Sequence, residues 1–403
     1  MSEPIPYEAL YDLTVPPLMW GVQLSPDGEY AAFVAAEFDP AEEKRLSSVF
    51  VVPTDGSREP HRLTRASTAS APQWSPDGSS LAVLAAREAD VERRIGRDDD
   101  SSASEDDEET EEEPETGPPG DEPMAQVWMY DLELGGDARQ VTDFDEGVRE
   151  FDWSPDGERL VVAARDPTEE QAEYLARRRQ ENGPIETERL QHKADGVGWL
   201  DDVTTYLFVV DAETGETDRL DDAYGAGSRE AMAGLQPNWS PDGTRIAFVS
   251  NRTERPDNSN VMDVYTISPD GESLKKVTDS DVMTLGMEWS PEGSQLAFVS
   301  WGPENFYTPA ELQVVDMETD ERRSLSAGLD RTVSTMHGVR WLDDEQLVAC
   351  IGDEGLSRPV VFSAAGDDQM RAFPTQGRDR ELAGALSKGV RPLSSSPLTR
   401  SWI

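Results

Sequence analysis

Short apolar runs recur along the chain, and they are apolar at successive positions rather than at alternate ones. They are Tyr30 to Val34, Leu81 to Leu84, Leu160 to Ala163, Ile246 to Val249, Leu296 to Val299 and Leu347 to Cys350. Runs of this length are strand-sized, and continuous apolarity predicts strands covered on both faces. Each run follows a turn. Four turns read Ser-Pro-Asp-Gly, at Ser25 to Gly28, Ser75 to Gly78, Ser154 to Gly157 and Ser240 to Gly243. A near copy is Ser290-Pro291-Glu292-Gly293, and a worn sixth is Leu342-Asp343-Asp344-Glu345. Ser at the first position, Pro at the second and Gly at the fourth fit a type I turn, with the proline ring presetting φ. Trp74, Trp153, Trp239, Trp289 and Trp341 stand immediately before five of the turns, and Leu24 before the first.

A second strand signal follows in every unit: Val49 to Val52, Val127 to Tyr130, Leu207 to Val210, Val264 to Ile267, Leu312 to Val315 and Val360 to Phe362. Turn residues come next, such as Thr54-Asp55-Gly56 or Asp270-Gly271, and a short strand closes the unit, as at Arg62-Leu63-Thr64 or Lys276-Val277-Thr278. Each unit is therefore four strands in two hairpins. Six such units between Trp20 and Phe373 predict an all-β protein, a β-propeller of six four-stranded blades or an incomplete ring of seven. A tryptophan before each turn is expected to pack between neighbouring blades.

The spacing locates two inserts. The first turn glycine lies 28 residues before the second turn in units one and four (Gly28 to Gly56, Gly243 to Gly271). Units two and three need 57 (Gly78 to Gly135) and 58 (Gly157 to Gly215). The first insert, residues 90–124, contains Asp98 to Glu122 with 14 acids in 25 residues and reads as a disordered acidic loop. The second, residues 166–200, contains Thr168-Glu169-Glu170-Gln171, a capping-box pattern, and Glu173 four residues before Arg177, so a short helix over 169–180 is expected. Residues 1–19 lead into the first blade, 20–375 form the propeller and 376–403 are irregular. From Leu382 to Ile403 there is no acid at all, which leaves two readings open: an irregular tail, or a stretch translated out of frame.

Charge narrows the function classes. The 403 residues carry 82 Asp and Glu against 36 Lys and Arg, a formal net charge of −46. Binding that tracks nucleic-acid phosphates needs a basic surface, and adsorption to anionic membranes needs the same, so neither is expected. The acids are spread along the chain, and only five lysines accompany 31 arginines. We read this as a salt-adapted, halophile-type surface. No run approaches 18 apolar residues, and Met1 to Leu10 has no apolar signal core, so the expected location is cytoplasmic.

Candidate chemistry is sparse. The single cysteine, Cys350, sits in a predicted buried strand and is read as inert. Of the three histidines, His61 falls in a solvated fourth-strand slot, His337 leads into the sixth unit, and His192 lies in the second insert with no identifiable nucleophile beside it. There is no G-x-S-x-G, P-loop, G-x-G-x-x-G, H-E-x-x-H or EF-hand pattern. No catalytic, cofactor-binding or metal-binding residue is assigned, and no cofactor is expected.

Three features resemble known families. The Trp-Ser-Pro-Asp-Gly turns followed by Ile246-Ala247-Phe248-Val249 resemble the TolB-like, WD-like propeller repeat. Tyr11-Asp12-Leu13 through Gly28 resembles the start of a prolyl oligopeptidase family serine peptidase. His192-Lys193-Ala194-Asp195-Gly196-Val197-Gly198-Trp199-Leu200, followed by Leu207 to Asp211, is similar to the third-blade insert of its acylaminoacyl-peptidase branch. The resemblance spans residues 8–375. It implies a substrate-gating propeller that caps an α/β-hydrolase domain and limits entry to short peptides. The Ser, Asp and His belong to that domain, and no position here matches their motif. The chain is thus expected to lack peptidase activity alone, as a truncated enzyme. The alternative is a stand-alone TolB-like propeller that binds a protein partner.

A whole-surface charge of one sign repels itself, and molar salt shortens the screening length to about 3 Å. The melting temperature of the chain is expected to rise from dilute buffer to molar KCl; a salt-independent melt would overturn the salt-adaptation reading.

Overall fold

A computed structural model describes residues 22–39, 44–64, 68–87, 123–181, 185–194, 198–305, 307–335, 338–366 and 371–372. Six four-stranded antiparallel sheets follow one another along the chain as propeller blades. Blade one is β1 (Gln23–Leu24), β2 (Tyr30–Asp39), β3 (Lys44–Pro53) and β4 (His61–Arg62). Blade two is β5 (Ser70–Trp74), β6 (Ser80–Ala86), β7 (Ala125–Asp131) and β8 (Arg139–Gln140). Blade three is β9 (Val148–Trp153) and β10 (Arg159–Arg165), then, beyond helix α1 (Glu169–Glu181) and the small hairpin β11 (Lys193–Ala194) and β12 (Gly198–Trp199), β13 (Thr205–Asp211) and β14 (Thr217–Tyr224). After the short helix α2 (Glu230–Ala233) comes blade four, with β15 (Asn238–Trp239), β16 (Ile246–Ser250), β17 (Asp263–Ile267) and β18 (Lys275–Lys276). Blade five is β19 (Met283–Trp289), β20 (Gln295–Trp301), β21 (Glu311–Asp316) and β22 (Arg322–Ser324). Blade six is β23 (Val339–Trp341), β24 (Gln346–Asp353), β25 (Leu356–Ser363) and β26 (Arg371–Ala372).

The first strands of successive blades touch one another from blade one to blade six, so they line a central channel. Because strands alternate in direction, the Ser-Pro-Asp-Gly turns and the third-to-fourth turns share one face. The second-to-third hairpins and the interblade connections share the other, which we call the insert face. Both inserts interrupt second-to-third hairpins and so open on it.

The apolar runs are covered on both sides, as their continuity predicts. In β10, Leu160, Val162 and Ala164 join the cluster shared with blade two, while Val161 and Ala163 join the cluster shared with blade four. Five such clusters link consecutive blades from one to six.

The turns are built by their own side chains. Ser75 Oγ donates to Asp77 Oδ1 at 2.6 Å and accepts from Ser80 N at 2.9 Å, while Asp77 Oδ1 accepts from Ser79 N at 3.0 Å. Ser25, Ser154 and Ser240 repeat the arrangement. The serine hydroxyl holds the Asp77 carboxyl below its ordinary value. In the worn sixth turn Asp343 does both jobs, accepting from Glu345 N and Gln346 N. The glycine has two reasons to be there. Gly157 has φ +75°, and a Cβ on it would lie 3.4 Å from Cδ of Pro76 in the preceding blade's turn. Pro26 faces Gly78, Pro155 faces Gly243 and Pro241 faces Gly293 in the same way. Each turn is therefore seated on the one before it.

The tryptophans close the blade interfaces with a hydrogen bond as well as with area. Nε1 of Trp74, Trp153, Trp289 and Trp341 donates to the carbonyl of Gln23, Gln73, Asn238 and Glu288 in the preceding blade, at 3.0–3.4 Å. Trp239 departs from the pattern: its indole nitrogen is buried without a partner, and its main-chain N–H donates to Asp152 Oδ2 at 2.8 Å instead.

Helix α1 ends one residue beyond the expected 169–180, and its capping box is formed, with Thr168 N donating to Gln171 Oε1 at 2.9 Å and Gln171 N to Thr168 Oγ1 at 3.3 Å. The expected Glu173–Arg177 pair does not close; Arg177 lies over the Tyr174 ring at 5.9 Å. The hairpin β11–β12 and helix α2 were not signalled in the sequence. Residues 1–21, the acidic stretch 88–122, His337 and the tail 373–403 lie outside the described residues.

Trp289→Phe deletes a made indole bond, whereas Trp239→Phe deletes none. Trp289→Phe should cost about 1 kcal/mol more in chemical unfolding than Trp239→Phe. Equal losses would remove the hydrogen bond from the account of these interfaces.

Candidate functional site

The main-chain edge that each first strand turns toward the channel has no neighbouring strand. Side chains from the preceding blade satisfy parts of it, at two positions fixed relative to the blade tryptophan. One residue before the tryptophan, Gln73 Nε2 donates to Phe151 O at 2.7 Å and Asp152 accepts from Trp239 N, while Glu288 pairs with the Arg340 side chain at 2.9 Å rather than with the main chain. Three residues before it stand Ala71, Glu150, Gln236, Gly286 and Gly338. Four of these five have φ between +47° and +67°. At this position Glu150 accepts from Leu235 N at 2.7 Å and Gln236 N at 3.2 Å, and Gln236 Oε1 accepts from Gly286 N at 2.8 Å.

Glu150 is the electrostatically unusual member. Desolvation pushes its carboxyl up to about 7, and the two main-chain N–H bonds and nearby Arg149 oppose that without prevailing. Its carboxylate rests on Gly234, where a Cβ would come within 2.4 Å of it. Arg149 pairs with Glu230 of α2 at 2.9 Å and donates to Ala231 O, and Glu230 also accepts from Thr205 Oγ1. This fixes α2 over the insert-face end of the channel.

The second insert is held there mainly by ion pairs, beside a small apolar cluster of Ala194 and Leu200 with Ala231 of α2. Among the described side chains of α1 only Leu175 is buried. Glu146, its side chain 4% exposed, receives Arg179 at 2.7 Å and Arg165 at 3.3 Å, and Arg165 also reaches Asp201 at 2.5 Å. Arg189 and Gln191 N anchor the segment to Asp257 of blade four. At the hairpin, exposed His192 stacks on Trp199 at 5.8 Å and Lys193 Nζ lies 5.2 Å from the same ring. Trp199 is 47% exposed, so not every tryptophan is a core residue. Leu190, Met232, Tyr307, Leu356 and Phe38 are the other exposed large apolar side chains in second-to-third or interblade segments, which places them on the insert face. Between blades five and six this face also holds an open cleft of about 470 Å³, walled by Trp301, Val333 and Leu356 and edged by Arg331 and Asp353.

His61 is exposed on β4 and Cys350 is buried in β24, as expected. Among the described residues no group of three His, Cys, Asp or Glu could hold a metal ion, and no helix is long and apolar enough to cross a membrane. The channel residues were missed in the sequence because their common feature is an offset from tryptophan, not a residue type.

No protein-family model matches the chain. The uncharacterized peptidase YuxL of Bacillus subtilis (strain 168) is 30% identical over 247 residues, 60% of this chain and 31% of that protein. The Pyrococcus horikoshii acylaminoacyl peptidase superposes with a TM-score of 0.61 at 16% identity, over 91% of this chain and 47% of that one. An acylaminoacyl peptidase in complex with Z-Gly-Gly-Phe-chloromethyl ketone gives 0.60 at 17% identity, with the same coverage of each chain. The β-propeller domain of the trilobed protease from Pyrococcus furiosus, described as having an open velcro topology, gives 0.52 at 14% identity over 90% of this chain and 85% of that one. The chain is thus a six-bladed β-propeller whose fold is that of acylaminoacyl peptidase propeller domains. It spans about half the length of those peptidases and about a third of the curated relative.

A carboxyl whose folded pKa is raised contributes stability below its unfolded pKa and loses it as pH rises through the folded value. Stability should therefore fall from the model-compound value of 4.5 through about 7 on account of Glu150. Glu150→Gln should flatten that part of a denaturant-midpoint profile at fixed salt; an unchanged slope would place the titration elsewhere.

Proposed function

We propose that this chain is the substrate-gating propeller of an acylaminoacyl-peptidase-like serine hydrolase, acting with an α/β-hydrolase domain that supplies Ser, Asp and His. The observation that carries this reading is the 247-residue stretch at 30% identity to a peptidase, within a chain whose fold follows acylaminoacyl peptidase propellers over nine-tenths of its length. The insert face fits the role: it carries most of the exposed large apolar side chains, the kind of surface that a neighbouring domain would cover, at the end of the channel where both inserts lie. Peptides are the substrates under this reading, and gating is exclusion by size.

A stand-alone binding propeller is the second reading, favoured by the same exposed side chains. The two separate in one experiment. The purified 403-residue chain should not hydrolyse acyl-aminoacyl or dipeptidyl anilides. Titrated into the catalytic domain of an acylaminoacyl peptidase, it should suppress cleavage of long unfolded polypeptides and spare short acyl peptides. Turnover by the chain alone would overturn the division of labour, and no size-dependent effect would favour the binding propeller.

A further inference from the structure

The side-chain relay along the channel stops at blade five. Glu150 covers the edge of blade four and Gln236 covers the edge of blade five, but Gly286, next in the series, has no side chain to cover blade six. A Cβ built on Gly286 would lie 3.7 Å from Gly338 Cα, so a side chain there would lie over Gly338 as that of Gln236 lies over Gly286. The two glycines have matching conformations, φ +67° and +65°. Among the described residues nothing accepts from Gly338 N. Beside the gap, Gln236 Nε2 is buried without a partner, a second donor whose acceptor is missing. We call the gap left where Gly286 has no side chain the notch; among the described residues it presents unmet N–H donors at Gly338 N and Gln236 Nε2.

We propose that this notch binds the carbonyl oxygen of a peptide amide, which stands to Gly338 N as Gln236 Oε1 stands to Gly286 N. Nothing else in the molecule is assigned this role. The acceptor is a neutral carbonyl rather than a carboxylate for two reasons. The residue that fills the neighbouring position is itself an amide. A free anion would also enter a channel already holding Glu150 and Asp152, in a chain of net charge −46. Arg340, two residues beyond Gly338, does not change this balance, because it forms an ion pair with Glu288 at 2.9 Å and the two charges offset each other. The site lies toward the insert-face end of the channel.

The peptide probe rests on the peptidase reading, but the test reads binding and involves no hydrolysis. The ¹⁵N-labelled chain is titrated with N-acetylphenylalanine amide and, separately, with N-acetylphenylalanine. The Gly338 amide resonance should move and saturate with the neutral amide, and respond less to the carboxylate. Gly286→Asn, a residue that tolerates positive φ, restores a side chain over Gly338 and should weaken binding of the amide about tenfold. A Gly338 resonance that stays still, or that moves only with the carboxylate, overturns the subsite, as does an unchanged affinity in a folded Gly286→Asn chain. If that variant does not fold, the titration of the unsubstituted chain decides alone. A chain that gates a hydrolase while Gly338 stays still overturns the subsite and leaves the peptidase reading standing; the reverse result does the opposite.

Discussion

Everything in this molecule depends on what becomes of the inner edge of each blade. A first strand pairs on one side only, and the main-chain groups on its other side are turned toward a narrow axial space. Leaving such groups unsatisfied costs more than any single apolar contact returns. The chain meets this by handing polar atoms from one blade to the next: an indole N–H backward to the preceding blade, and a carboxylate or amide forward to the following one. Apolar clusters between blades supply most of the attraction, but they are interchangeable in direction. The hydrogen bonds set the spacing and the tilt.

The excess of arginine over lysine acquires a reason in this setting. Arg87, Arg245 and Arg159 lie over Trp128, Trp289 and Trp239 at 4.5–5.2 Å. Arg323 donates to Ala364 O and to Gln295, and Arg139 to Ala212 O, each bridging two blades. A planar guanidinium can stack on an indole and still present donors at its rim, which an ammonium cannot do. The acids are likewise not all solvent dressing, since the aspartates of the Ser-Pro-Asp-Gly turns accept from two or three local donors each.

The fold was legible because its rules are local. Ser-Pro-Asp-Gly, Gly at positive φ and strand-length apolar runs are chemistry within eight residues of one another, and α1 announced itself through Thr168 and Gln171. The channel was not legible, because Ala71, Glu150, Gln236, Gly286 and Gly338 share no residue type and act on strands about 50 or more positions away. Nor was the Glu146 clamp, whose partners Arg165 and Arg179 lie on different elements. Trp199 shows the limit from the other side: it stands before no turn, and the structure leaves half its surface open on the β11–β12 hairpin.

Among the described residues every sheet is made of strands that follow one another in the chain, with none lent to a neighbour. Order of synthesis and order of assembly can therefore coincide. Each blade has all its strands once its own stretch has left the ribosome, and the next needs only that finished apolar face to pack against. Blades two and three are exceptions in timing, since an insert must be made before their second hairpin can close. The energetic contacts that matter most for the growing chain are thus between partners already synthesised, which keeps exposed strand edges few and short-lived during translation.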